Sequence, residues 1–351
     1  MPLLARLLPA PLAVDVRRGA IADLGTLLAD RRIATQGRVA VAVGPGEHGD
    51  GIAARLDIGE AEVFRVEDAT VDTAVSLGKR LRAGSYEAVA GIGGGRTIDV
   101  TKFAASMAGI PMVSVATNLS HDGIASPVSS LEHESGKGSY GVAPPVAVMV
   151  DLDSVHAAPA RLVRAGIGDA VSNLSAIADW ELAVADAGER IDGLAVTLAR
   201  TAAQAVLHQP GGIESDEFLT VLAEALILSG MAMTVAGSSR PCSGGDHEIL
   251  HAIDQLFPGA GTHGELAGLG ALFCAYLRED ARQADLVSAC LARHNLPRSP
   301  AELGLSAADF TKAVVCAPGT RPGRYTILER LGLTEAEAGA RVEEYVRTVA
   351  G

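Results

Sequence analysis

The sequence predicts an α/β chain in which a doubly wound, Rossmann-like parallel sheet is followed by an all-helical second half. Three observations predict it. Up to about Asp153, short apolar runs rich in β-branched residues recur; a segment with helical spacing separates two of them; beyond Pro159 the strand signals stop and long Ala/Leu-rich periodic segments take over.

The strand runs are VAVAV (39–43), EVFRV (62–66), AVAGI (88–92), MVSVA (112–116) and VAVMV (146–150). They are nearly continuously apolar, as strands covered on both faces must be. Between the second and third, Thr70 to Ala83 places Val71, Ala74, Val75, Leu77 and Leu81 at helical spacing and supplies a crossover helix. In the second half, helices are expected over 161–187, 193–208, 215–236, 244–257, 263–284 and 334–349, with turns at Pro210-Gly211-Gly212, Pro258-Gly259-Ala260-Gly261 and Pro318-Gly319-Thr320. An α/β half joined to a helical half is expected to leave a cleft, where small-molecule sites form.

Composition excludes several functions. The formal charge of −13 opposes binding to nucleic acid or an anionic membrane face, and only 3% of the residues are aromatic, too few for stacking on bases. Cys242, Cys274, Cys290 and Cys316 form no CxxC pair, which fits a reducing cytoplasm. The apolar N-terminus is broken by Pro2, Pro9 and Pro11 and is not expected to be a signal peptide; the apolar segment 218–236 carries Thr220, Glu224 and Ser229 and reads as a buried helix, not a membrane span.

Gly91, Gly93, Gly94 and Gly95 follow a strand and open a helix, where backbone N–H groups can approach a pyrophosphate. The spacing is not the GxGxxG fingerprint, so a merely tight strand-to-helix turn is the competing reading. Asp99 lies four residues further on, and the loop after the next strand carries Thr117, Asn118, Ser120, His121 and Asp122 at the sheet edge where ligands bind. His247 and His251 stand on one face of a helix, a pattern that also describes two ordinary buried histidines. Asp169 and His263, each beside glycines near a helix start, complete a set of one carboxylate and two or three imidazoles. That set suits Zn²⁺, Ni²⁺ or Fe²⁺ with a coordination position left for substrate.

Five strings, GIGGGRTIDVTK, VATNLSHDGIASP, AGIGDAVSNLSAIADWELA, SGGDHEILHAID and THGELAGLG, resemble the iron-containing alcohol dehydrogenase and dehydroquinate synthase-like superfamily, and within it the glycerol-1-phosphate dehydrogenases. The resemblance covers most of the chain. It implies a dehydroquinate synthase-like fold with a dinucleotide-binding domain at 1–157 and a metal- and substrate-binding domain at 158–351. It places the metal ligands on Asp169, His247 and His263, nucleotide contacts on Gly94, Gly95, Asp99, Thr117 and Ser120, and roles at the substrate on Asp122 and His251.

The implied cofactors are NAD or NADP and one divalent metal, Zn²⁺ first and Ni²⁺ or Fe²⁺ as alternatives. The implied reaction is reduction of dihydroxyacetone phosphate to sn-glycerol 1-phosphate by a cytoplasmic homo-oligomer. A related phosphorylated or polyol ketone is one alternative, because Asp246 and Leu250 replace a Glu and a Ser that the family carries beside the two histidines, and Cys242 lies just before; a dehydroquinate synthase-like cyclisation, which shares the fold, the NAD and the metal, is another. For the substrate phosphate the cationic candidates are Arg240 and Lys137.

Overall fold

In the computed structural model, which describes residues 10–35, 37–54, 61–134 and 136–350, the strands are β1 (Ala13–Arg17), β2 (Val39–Val43), β3 (Glu62–Arg65), β4 (Ala88–Gly93), β5 (Met112–Ala116), β6 (Val128–His133), β7 (Gly136–Gly141) and β8 (Ala147–Asp151). Six of them form one parallel sheet in the order β1-β8-β5-β4-β2-β3, while β6 and β7 pair as an antiparallel ribbon. Strand periodicity explains the core: Val41, Val43, Ala88, Ala90, Ile92, Val113, Val115 and Met149 share one face and are buried with Leu24 and Leu28. The opposite face meets a helix so closely that a Cβ on Gly91 would lie 2.8 Å from Thr101 Cβ.

The helices are α1 (Leu24–Leu28), α2 (Gly46–Ala53), α3 (Val71–Ala83), α4 (Gly95–Ala108), α5 (Leu152–Ala157), α6 (Ala160–Ala187), α7 (Gly193–His208), α8 (Asp216–Ala236), α9 (Gly245–Leu256), α10 (His263–Leu277), α11 (Ala281–Arg293), α12 (Ala307–Cys316), α13 (Ile327–Leu331) and α14 (Glu335–Ala350). The chain separates into two compact units, one of residues 1–117, 123–155 and 230–238 and one of 118–122, 156–229 and 239–351. The parallel sheet and the ribbon belong to the first; the second is helical. Helix α8 is long and apolar enough to cross a membrane, and 61% of its most apolar window is buried inside the protein.

Three expectations change. β1, whose AVDVR alternates apolar and charged residues, is an edge strand and has no continuous apolar run to mark it. The Gly- and Ser-rich ribbon β6–β7 is likewise an addition to the expected elements. The helix expected over 263–284 is two helices: Glu279 adopts φ 58°, which ends α10, and Asp280 accepts from Gln283 N–H at 3.0 Å to start α11.

A candidate metal centre on the helical unit

Asp169 lies on α6, His247 on α9 and His263 at the first position of α10. One donor atom from each lies within 4.8 Å of the others. His263 Nε2 is 3.4 Å and His247 Nε2 3.8 Å from Asp169 Oδ1. A cation with bonds of about 2.0–2.2 Å in tetrahedral geometry sets neighbouring donors roughly 3.3 Å apart, so these residues fit a divalent ion with little adjustment.

Local packing explains the convergence. A Cβ on Gly168 would lie 2.1 Å from the Gly264 carbonyl oxygen, so α6 and α10 touch backbone to backbone where each carries its donor. Gly270 repeats the device against α9, where a Cβ would stand 2.5 Å from the Asp246 carbonyl. The start of α10 is clamped as well: Glu265 accepts Thr262 N–H at 2.8 Å and both forks of Arg161 at 2.8 Å.

The donors are oriented individually. Asp169 Oδ2 accepts the Asp122 backbone N–H at 2.8 Å, leaving Oδ1 to the imidazoles. Burial alone would raise the Asp169 carboxyl; the facing His263, with the charges of His263, His247 and His121, instead lowers it to about 2. A carboxylate that stays ionised while buried is what a cation needs. Fully buried Asp246 bonds His247 Nδ1, which fixes the ring and leaves Nε2 toward Asp169.

The remaining predicted residues divide between the two units. Gly94 and Gly95 form the N-cap and first residue of α4, and the Thr117 N–H donates to the Gly93 carbonyl at 3.0 Å, which brings Thr117 beside the glycine turn. A Cβ on Gly93 would meet Thr97 Oγ1 at 2.8 Å, so the turn is shaped for backbone approach. Asp99 is buried with its Oδ1 3.0 Å from Lys102 Nζ. Ser120 belongs to the stretch 118–122 of the helical unit, as does Asp122, which meets Asp169 through its backbone. The His251 ring stands 6.5 Å from that of His247, and its Nε2 accepts from Arg321.

Two candidates for the phosphate are engaged elsewhere. Arg240 is ion-paired through both forks with Glu189, and Lys137 sits exposed on β7 opposite Glu132. Cys242 is no thiolate, since burial and the charges of Asp122, Asp169 and Asp246 push its thiol well up.

Sequence reasoning named His121 only as part of the polar loop after β5, and it missed three other contributors. The His121 ring lies 5.4 Å from His263. Lys102 Nζ holds the segment after β5 by bonding the carbonyls of Gly123, Ser126 and Val128. Asp179, ten residues after Asp169 on α6, accepts Gly245 N–H at the start of α9 and pairs with Arg278. Arg321 approaches His251. Only Asp179 and Lys102 carried a signal, each being a charge inside an otherwise apolar helical face.

Residues 15–159 match the family of iron-containing alcohol dehydrogenases. Relatives named glycerol-1-phosphate dehydrogenase (NAD(P)+) include one from Methanothermobacter thermautotrophicus, 35% identical over 97% of this chain and 99% of the relative, and one from Methanothrix thermoacetophila, 38% identical over 95% of each. Among solved structures, a probable glycerol dehydrogenase from Sinorhizobium meliloti superposes with a TM-score of 0.79 at 22% identity over 99% of each chain. Glycerol dehydrogenase from Schizosaccharomyces pombe gives 0.76 at 19% identity, covering 99% of this chain and 91% of its own. Identity of this extent, sustained over nearly the full length of both chains, makes this chain a member of the glycerol-1-phosphate dehydrogenase family.

Proposed function

We propose that the chain catalyses the reversible, NAD(P)-linked reduction of dihydroxyacetone phosphate to sn-glycerol 1-phosphate. The dinucleotide belongs to the first unit, and one divalent cation, Zn²⁺ in the first instance, is held by Asp169, His247 and His263 on the second. The observation that carries this reading is the convergence of one carboxylate and two imidazoles at cation-bonding spacing in a chain of this family. When bound, the cation supplies a positive charge that polarises a carbonyl, and the nicotinamide supplies the hydride.

The chain's own residues do the rest. Asp246 and the Asp122 N–H hold His247 and Asp169 in their working orientations. Gly94 and Gly95 present the N-terminus of α4 to the pyrophosphate, with Thr117 alongside. Asp99 acts by fixing Lys102, and through it the segment Gly123–Val128. The product oxygen needs a proton, and His251 and Asp122 are assigned to hold it. The free cysteines support a cytoplasmic setting, and a homo-oligomer completes the reading.

The test is metal analysis of the purified protein joined to an assay of NAD(P)H consumption with dihydroxyacetone phosphate, dihydroxyacetone and glyceraldehyde 3-phosphate. One NAD(P)H consumed per dihydroxyacetone phosphate is expected, lost on chelation and restored by metal. Product formation without net NAD(P)H consumption would mean cyclase-type chemistry instead.

A further inference from the structure

The helical unit holds two arginines that the chemistry above leaves unused. Arg321 and Arg324 flank Pro322-Gly323 and are partly buried. Arg321 Nη1 and Arg324 Nη2 each donate to Ser239 Oγ at 3.0 Å. Arg321 Nη2 also donates to His251 Nε2 at 2.8 Å, and Arg324 Nη1 to the Ser243 carbonyl. Every one of these acceptors is uncharged.

Among the described residues neither guanidinium is ion-paired with a carboxylate. Arg240, buried, and Arg278, partly buried, in the same unit do have such partners in Glu189 and Asp179. Two cations drawn out of water onto one hydroxyl repel each other and lose hydration, which is costly without a counter-charge. Burial lowers both arginines, and the charges of Arg321 and Arg240 take Arg324 down further, to about 10, while the more distant carboxylates of Glu248 and Asp246 act the other way on both without forming an ion pair. In a chain of net charge −13 this is a concentrated positive spot.

Its position is specific. Arg321 donates to His251 Nε2, and the His251 ring stands 6.5 Å from that of His247. His251 thus neighbours both Arg321 and the ligand candidate His247, and a phosphorylated three-carbon ketone carries its carbonyl on the middle carbon and its phosphate on an end carbon. Two planar forks suit the several oxygens of a phosphate monoester.

We propose that Arg321 and Arg324, braced on Ser239, form the seat of the substrate's phosphate group, an assignment that rests on the function proposed above. The loop carrying them is anchored just beyond: Thr326, two residues after Arg324, donates to Glu248 at 3.1 Å and receives the Leu328 N–H at 3.1 Å.

The experiment compares wild type with Arg321→Gln, Arg324→Gln and the charge-retaining Arg324→Lys. Steady-state kinetics are taken with dihydroxyacetone phosphate, dihydroxyacetone and NAD(P)H, together with the shift in thermal unfolding that inorganic phosphate causes at matched ionic strength. The Gln variants should raise KM for dihydroxyacetone phosphate on the order of 10- to 100-fold while leaving KM for dihydroxyacetone and NAD(P)H within about twofold. Arg324→Lys should recover part of the loss, and the phosphate-induced shift should vanish in the Gln variants. An unchanged KM for the phosphorylated ketone, an equal loss on both ketones, or a rise in KM for NADPH instead would overturn the assignment. A wild type inactive on dihydroxyacetone phosphate would defeat the proposed function alone, because the phosphate-induced shift tests the arginine seat without turnover.

Discussion

Helix α6 carries two buried aspartates ten residues apart, and they are opposites. Asp179 is saturated: Oδ1 receives Arg278 at 2.6 Å and Ile327 N–H at 2.9 Å, and Oδ2 receives Gly245 N–H at 2.8 Å. Asp169 receives one backbone N–H and otherwise faces imidazoles. Burial raises the Asp179 carboxyl in spite of Arg278, whereas the histidine cluster brings Asp169 down. One carboxylate is a joint that ties α6 to α9 and α13; the other, in the function proposed above, faces a charge from outside the chain. A buried acid is structural when the fold itself supplies all its partners.

The comparison can be broken first at the poised site. His263→Ala should lower turnover by about a thousandfold or more, while chemical denaturation places its stability within about 1 kcal/mol of wild type. Near-wild-type turnover in the variant would contradict the assignment.

At the saturated site the effects should exchange. Asp179→Ala leaves the Arg278 charge buried without its partner and should cost about 3–5 kcal/mol of unfolding free energy. A loss below about 1 kcal/mol would show that Asp179 is not the joint described here.

Asp246→Asn sharpens the contrast more gently, because it keeps the shape around His247 while removing the charge and one of the two acceptor oxygens that meet His247 Nδ1 and the Gly244 N–H. Metal affinity should fall about 10- to 100-fold in a competition titration with a chromophoric chelator. An unchanged affinity would mean that Asp246 does not tune the site.

The smallest effect concerns an imidazole on which burial and the Arg293 charge outweigh the one acid that acts on it, Glu214. His294 packs on Phe218, takes a bond from Arg293, and burial with the Arg293 charge lowers it from 6.5 to about 4. The folded state thus keeps it neutral where the unfolded chain protonates, so stability should decline as pH falls from 6.5 toward 4, by on the order of 2 kcal/mol. His294→Gln should flatten that slope in pH-dependent denaturation; an identical slope would assign the acid sensitivity elsewhere.

Much of this was legible in the sequence. Central strands announce themselves because both faces are covered; Asp169 and His263 stood out beside glycines near helix starts, and His247 by its helical spacing from His251. Other features were hidden for physical reasons. β1 is an edge strand and need not be apolar throughout, so Asp15 and Arg17 concealed it. The break at Glu279 depends on a left-handed residue that is not glycine, which no local pattern signals. Arg321 and Arg324 look like ordinary surface charges until folding places both on Ser239. Arg240 erred the other way, for its partner Glu189 lies 51 positions off in the chain.

The most direct test is the metal content of the exhaustively dialysed protein, wild type beside Asp169→Asn and His263→Ala. One divalent ion per chain in the wild type and close to none in either variant is the predicted result. Equal metal content in all three would contradict the claim that these side chains share one ion.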